Sequence, residues 1–538
     1  MSFASSVPSV SGLSLSGGEK VVVLSDIHIG DNSPTVWYQA SVHEQYLVGI
    51  LDWVAQESLI SEVVLLGDIV DFWTYPFSTP PPTFEAISAA NPNVFGPHGA
   101  LARLLDAKGG AVTYVEGNHD FGVTAADVAR ITSPGGYKVR FGGSEYRVDG
   151  QGNQGILFSH GHAYTMFNAP DPTSPWQITP QSSVARGLPV GHFVTRMVAT
   201  KWARDLAAGG TVAQLPGQGA PNGIGLSGII QGIISHGGDV SIARALLDSV
   251  AAQTGCGPND PIILPFGLGT TTLAHVQDIY ANLWTEWVKA APAGQGELRA
   301  AKAAIADAGG TYLGWFAQMR AFESVADAMI MGHTHSPIMG LQNSLITYAN
   351  CGFECPSVPD MGRQFMSFVL VDVADLSTQV LRISSPPGQG LQIDTCPASS
   401  TSVVVSPAQD FSCYVIIENT LQENLLLQST RVGNGYFPVP PPAKIAPGKQ
   451  AMIWLQDKPG LHGSDATFIY AAGGRSFEFT VDCPTGVYSN VALATGGATF
   501  RTKYGSHQNW GPIGKVDPWR PFHPSSDPMH PFFVLFTV

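Results

Sequence analysis

The sequence predicts a layered α/β domain followed by an all-β domain. Three observations carry this expectation. From Lys20 onward, apolar runs alternate with amphipathic stretches in a βαβ rhythm. Five short clusters of Asp, Asn and His each follow one of the apolar runs. Beyond Ser402 the rhythm changes to short alternating segments broken by Pro and Gly, the pattern of a β-sandwich.

Length and charge narrow the choices. At 538 residues the chain exceeds one ordinary core, so two or more domains are expected. The formal net charge of −14 argues against a general nucleic-acid-binding surface, which is normally basic. It leaves room for an anionic substrate, because bound cations dominate a local field. The first twenty residues have neither a basic region nor a long apolar core. No signal peptide and no transmembrane segment is expected, and a cytoplasmic location is the default. Six cysteines are too few for a dense disulfide framework. Cys396, Cys413 and Cys483 lie in the C-terminal part, where one disulfide and free buried thiols both stay open.

Taken in order, residues 1–19 form a Ser/Gly-rich leader. The runs VVVL, VVLL, AVTYVE, GILF and AMIM read as buried strands, and His43–Ser58 reads as a helix between the first two. The Pro- and aromatic-rich segment Tyr75–Pro97 reads as a rigid loop. The stretch 163–325 is too long for a structureless loop and contains amphipathic runs, among them HFVTRMVATKWARDLAA and TYLGWFAQMRAFESVADA. It is expected to be a helical cap inserted into a catalytic domain spanning 20–385. The apolar pieces IGLSGIIQGIISHGG and PIILPFGLGTTT within it suit buried packing or a pocket wall. Segment Ser384–Ser402 reads as a linker, and 400–538 as the β-sandwich. Residues 1 to about 385 are expected to fold without the rest.

The clusters are SDIH (Ser25–His28), GDIVD (Gly67–Asp71), GNHD (Gly117–Asp120), SHGH (Ser159–His162) and GHTH (Gly332–His335). Side chains just past the carboxyl ends of strands in one open sheet share a crevice. Asp26 and His28 stand two apart and so share a face. Asp68, a single carboxylate on the next strand end, is placed to bridge two cations. Asn118 adds a neutral oxygen, and His160, His333 and His335 add imidazoles. His and carboxylate donors together suit Mn, Fe, Zn or Ni rather than Ca. Two such ions activate water and clamp phosphoryl oxygens. His119, beside Asn118, is the candidate general acid, with Asp71 placed to orient it. His162 and Asp120 are expected to support the ligands through hydrogen bonds. Arg196, Lys201 and Arg204, on the first helical run of the cap, are candidates to grip a phosphate. Any one motif alone would suit a surface loop; all five, ordered and each at a strand end, point to a dinuclear metal site.

These motifs resemble those of the calcineurin-like metallophosphoesterase superfamily, whose pattern is D-x-H, G-D-x-x-D, G-N-H-[DE], a lone His and G-H-x-H. The resemblance covers roughly residues 20–165 and 325–375. It implies a four-layer α/β/β/α sandwich and two divalent ions that activate water to hydrolyse a phosphomonoester or phosphodiester. One ion would take Asp26, His28, Asp68 and His335, the other Asp68, Asn118, His160 and His333. Purple acid phosphatases place a Tyr ligand where this chain has Asp71, so a purple iron site is not expected.

SDIHIG, GDIVDFW and the helical insertion are similar to UDP-2,3-diacylglucosamine pyrophosphatases. His119 stands where that group often has Arg, and this insertion is longer. The segments VIIENT, PPPAKIAPGKQ and GSDATFIY loosely resemble aegerolysin-like lipid-recognising sandwiches. With the tail aromatics Tyr504, Trp510, Trp519 and Phe522, they raise a lipid or glycan contact through the C-terminal domain. The competing reading is a toxin-like binding protein in which that domain carries the main activity.

Overall fold

The computed structural model describes residues 9–10, 15–178, 186–210, 241–292, 294–306, 312–342, 344–352, 365–403, 410–458, 462–485, 490–505, 509–514 and 530–538. IGLSGIIQGIISHGG, Trp519 and Phe522 lie outside them. The chain divides into two compact units. The first holds 1–313, 328–340 and 347–401; the second holds 314–327, 341–346 and 402–538.

Two mixed sheets organise the first unit. In one, the strands run in the order Ser9–Val10, Gln392–Thr395, Thr378–Ser384, Phe365–Asp372, Lys20–Leu24, Ile60–Leu66, Val112–Val115 and Arg140–Gly143. Its parallel centre consists of the expected apolar runs, buried on both faces as continuous Val/Leu strands require. The other sheet carries, in order, Ser399–Ser402, Ile338–Gln342, Thr347–Asn350, Ala328–Met331, Ile156–Ser159 and Glu145–Val148. One apolar core joins the facing strands: Val21, Val23, Val64 and Leu66 from the first sheet pack with Ile156, Phe158, Ala328 and Ile330 from the second. Helix Ala40–Gln56 lies on strands Phe365–Asp372 and Thr378–Ser384, with Trp53 ring to ring with Phe368 at 5.8 Å. Sheets face to face with helices outside fit the expected sandwich. All five motifs lie at the carboxyl ends of strands.

Three details differ from the sequence reading, which also takes TLAHVQDIYANLWTEWVKAA as an amphipathic run of the cap. Segment Ser384–Ser402 is not a plain linker: Gln392–Thr395 pairs in the first sheet and Ser399–Ser402 in the second, because their backbone groups complete the sheet edges. Segment Tyr75–Pro97 is not loop throughout: Phe84–Ala90 and Pro92–Phe95 are helical. Thr83 caps the first by accepting from the Ala86 N–H, and Pro92 opens the second, where a missing N–H costs nothing. The cap run expected as one helix, TLAHVQDIYANLWTEWVKAA, breaks into Leu273–Ile279 and Leu283–Ala290. Helices Val190–Ala207, Ile242–Thr254 and Leu313–Ser324 stand as expected, and PIILPFGLGTTT forms the hairpin Pro261–Ile263 with Thr270–Thr272. Among the described residues no helix is long and apolar enough to cross a membrane.

The second unit is a β-sandwich. One sheet runs Gln450–Leu455, Cys413–Glu418, Phe532–Thr537, Thr499–Tyr504; the other runs Lys444–Ile445, Leu425–Asn434, Ser464–Ala472, Arg475–Cys483, Val491–Ala494. Strand Ser464–Ala472 alternates strictly between buried and half-buried positions, as a sheet with one inward face should. Residues 314–327 belong to this unit through the aromatic side of helix Leu313–Ser324. Trp315 lies 5.5 Å from Trp454, Phe322 6.3 Å from Tyr414, and the Trp315 indole N–H donates to Gln456 Oε1 at 2.8 Å. Of the tail aromatics, Tyr504 packs on the sandwich core and Trp510 lies under the Lys503 ammonium at 5.0 Å.

Candidate metal centre

Each motif leaves its strand through a backbone that places side chains inward. The Asp26, His28 and Ile29 N–H groups donate to the carbonyls of Gly67, Asp68 and Ile69, so the first two motif loops stay zipped together beyond their strands. At Gly67, where φ is +78°, an added Cβ would lie 2.7 Å from the His160 ring. At Gly117 it would lie 2.2 Å from Asp68 Oδ1. Only glycine lets the second, third and fourth loops close on one another. Asp26, His28, Asp68, His333 and His335 all have positive φ, five of the nine such non-glycine residues described. Backbone strain of this kind gathers where the surroundings over-determine a functional geometry.

The side chains converge. Asp26, His28, Asp68 and His335 offer donor atoms within 4.8 Å of one another, and so do Asp68, His160 and His333. Asp68 belongs to both groups. Asn118 Oδ1 lies 3.0 Å from His333 Nδ1 and 3.2 Å from His160 Nε2, which joins it to the second group. All seven residues are buried.

Hydrogen bonds fix which nitrogens face inward. His160 Nδ1 lies 2.9 Å from the Leu66 carbonyl, which only accepts, so Nδ1 carries a proton and Nε2 is the nitrogen that faces Asp68, 3.2 Å away. His28 Nδ1 lies 2.9 Å from Asp71 Oδ2, leaving its Nε2 bare toward His335 Nε2 at 3.1 Å. The Thr165 hydroxyl donates to the His162 carbonyl and lies 3.2 Å from His333 Nε2, so it accepts from that nitrogen, and Nδ1 is the nitrogen that faces Asn118. Asp68 Oδ2 is buried without a hydrogen bond. Inward-facing imidazole nitrogens around a buried carboxylate oxygen are a donor set that fits divalent transition metals.

The electrostatics agree. Burial opposes ionisation of Asp68, yet the imidazoles of His160 and His119 hold its carboxyl well below the usual range. Burial likewise opposes protonation of His160, but the Asp68 carboxylate raises it to about 9. A cation bound here would replace that proton as the compensating charge.

A second constellation adjoins the first. Asp71 Oδ2 accepts from His28 Nδ1 and, at 3.0 Å, from His119 Nδ1. Its other oxygen accepts the N–H groups of Trp73 at 2.6 Å and Thr74 at 3.0 Å. Burial disfavours a charged His119, but Asp71 and then Asp68 outweigh it and raise its pKa. The Trp73 ring stacks on His119 at 4.3 Å, and Trp37 lies 4.5 Å from His28 and 5.1 Å from His119.

Asp120 makes no contact with the imidazoles: it accepts from the Ile69 N–H at 2.9 Å, the Tyr114 hydroxyl and the Gly117 N–H, locking two loops together. His162 is buried 5.5 Å from the His160 ring, with Nδ1 lacking a hydrogen bond; burial, with His160 and His333 nearby, pushes its pKa well down. The cap cations lie elsewhere. Arg196 is fully buried and donates to the carbonyls of Tyr75, Pro76, Phe77, Thr79 and Ile263. Lys201 pairs with Asp205, and Arg204 with Asp260 at 3.3 Å. Those contacts involve the cap and the second-motif loop, not the clustered ligands.

Trp37 and Thr165 were not singled out from the sequence. Neither has a spacing that marks it; each follows a motif by several residues, and only the closed loops bring it to an imidazole.

Residues 19–205 match the family described as calcineurin-like phosphoesterase, a stretch that contains the first four motifs. No curated protein matches the sequence. Among solved structures, the crystal structure of the lipid binding protein Nakanori is similar at 9% identity and a TM-score of 0.18, over 23% of this chain and 69% of that one. That likeness is too slight to assign a fold or a ligand here.

Proposed function

We propose that the protein hydrolyses a phosphoester with two divalent transition-metal ions, Mn, Fe, Zn or Ni, held by Asp26, His28, Asp68, Asn118, His160, His333 and His335. The observation that carries this reading is the convergence of inward-facing imidazole nitrogens on Asp68, the carboxylate shared by both donor groups. Bound there, the ions supply Lewis acidity toward phosphoryl oxygens and lower the pKa of the attacking water.

The chain's own residues do the remainder. His119 gives a proton to the leaving oxygen from Nε2, since Nδ1 is held by Asp71. Asp71 also fixes the His28 tautomer, so one carboxylate sets both a ligand and the acid. Trp73 covers one face of the His119 ring and restricts its motion. No observation among the described residues favours the alternative in which the β-sandwich carries the main activity.

The test is turnover by Mn-, Zn- and Ni-loaded protein on p-nitrophenyl phosphate, bis-p-nitrophenyl phosphate and nucleotide-linked esters. The relative rates read monoester against diester preference. Turnover that disappears in an Asp68→Ala control supports the proposal; fully loaded protein inert on every ester sinks it.

A further inference from the structure

We propose that Cys413 and Cys483 form a disulfide site that ties together the two sheets of the C-terminal sandwich. Cys413 opens strand Cys413–Glu418 of the four-stranded sheet, and Cys483 closes strand Arg475–Cys483 of the five-stranded sheet. Both side chains are fully buried in one apolar core.

Ser464 brings them together. It stands directly across the antiparallel ladder from Cys483. Its hydroxyl lies 3.4 Å from Cys413 Sγ, and its carbonyl accepts from that thiol at 3.7 Å. Both thiols are free in this structure, and both border Ser464 in one apolar core. Two cysteines that share one buried neighbour in this way are placed to close to the ~2.05 Å of a bond. The other described cysteines have different neighbours in the first unit: Cys256 the Met197 carbonyl, Cys351 the Val23 carbonyl and Cys396 the Pro397 carbonyl.

The oxidant is a small-molecule disulfide such as glutathione disulfide. One cysteine thiolate attacks it, forming a mixed disulfide and releasing one glutathione thiol. The second cysteine sulfur then displaces the other glutathione. Two protein thiols and one glutathione disulfide become one protein disulfide and two glutathione thiols. Burial, and then the Cys413 thiol, hold the Cys483 thiol well above its ordinary range. The closed sandwich therefore supplies little thiolate, and exchange belongs to folding, before the sheets close.

The experiment uses the full chain, denatured and reduced, then refolded either with a glutathione redox pair or with excess reductant. Remaining thiols are alkylated and peptides mapped without reduction. The expected result is a linked Cys413–Cys483 peptide, two hydrogens lighter, in the oxidative arm alone, with unfolding shifted up by roughly 5–15 °C. Cys483→Ser should leave Cys413 alkylated and remove the shift. Finding both cysteines alkylated after oxidative refolding, or linked to other cysteines, overturns the proposal. The mapping of the unaltered chain decides the matter even if the variant does not fold.

Discussion

His28 Nε2 and His335 Nε2 face each other across 3.1 Å although the residues are 307 positions apart. His28 carries its proton on the opposite nitrogen, toward Asp71. With Asp26 Oδ1 at 3.5 Å from His335 Nε2, the three side chains form a donor set that fits one cation.

Purified protein should therefore carry about two transition-metal ions per chain, and chelation should abolish turnover. Asp68→Ala removes the carboxylate common to both ligand groups. Metal analysis should show loss of both ions together with nearly all activity. A variant with full metal content and full rate would end this reading.

His119→Ala should behave differently, because His119 meets Asp71 rather than the shared Asp68 oxygen. The ions should remain, and the rate should fall about 10²–10⁴-fold, most for esters with poor leaving groups. Asp71→Asn should do both kinds of damage: the rate falls, and metal affinity weakens by about 10–100-fold through His28. Loss of both ions in His119→Ala would overturn the role given to it.

Arg196→Met tests whether that residue grips substrate. Its guanidinium serves five backbone carbonyls inside the protein, and burial pulls its pKa down to about 9. The expected outcome is a stability loss of about 3–5 kcal/mol in chemical denaturation, with KM for a small ester unchanged in the folded fraction. A raised KM at unchanged stability would restore the phosphate-binding role.

A chain ending at Thr401 would leave Trp315 and Phe322 without Trp454 and Tyr414. The free-standing first domain expected from the sequence should then be prone to aggregation. Replacing Trp315 and Phe322 by polar residues in the truncated chain should restore solubility, and metal binding should be retained. Light scattering and metal analysis check this. Loss of metal from a soluble truncated chain would show that the second unit completes the site.

Asp457 links pH to stability. Burial, and then the neighbouring charge of Asp410, raise its pKa to about 6. The unfolded value is about 4, so the folded state is penalised as pH rises through the interval between them, and fully above about 6. Asp457→Asn should stabilise the protein at pH 7 by about 1 kcal/mol, solvent screening having reduced the effect, and should give no gain below pH 4. Urea denaturation at the two pH values reads the difference; equal stability at pH 7 would refute it.

Much of the site was legible in the chain because strand-end chemistry is local. Val21–Leu24 and Val63–Leu66 announce buried strands by composition, and D-x-H or G-D-x-x-D after such a run states both residue type and direction. The double duty of Asp71 was not legible, because His28 and His119 reach it from separate loops. Nor was the role of Arg196, since its carbonyl partners at Tyr75 and Ile263 carry no side-chain signature. The sequence by itself determined the alternation of strands and helices, the change to β-sandwich rhythm after Ser402 and which Asp, Asn and His motifs stand at strand ends. Tertiary structure alone decided which imidazole nitrogen faces inward, that helix Leu313–Ser324 belongs with the sandwich, and that Cys413 and Cys483 share one core beside Ser464. The physical reason is that tautomers and packing partners are set by atoms a few ångströms away in space but tens to hundreds of residues away in sequence.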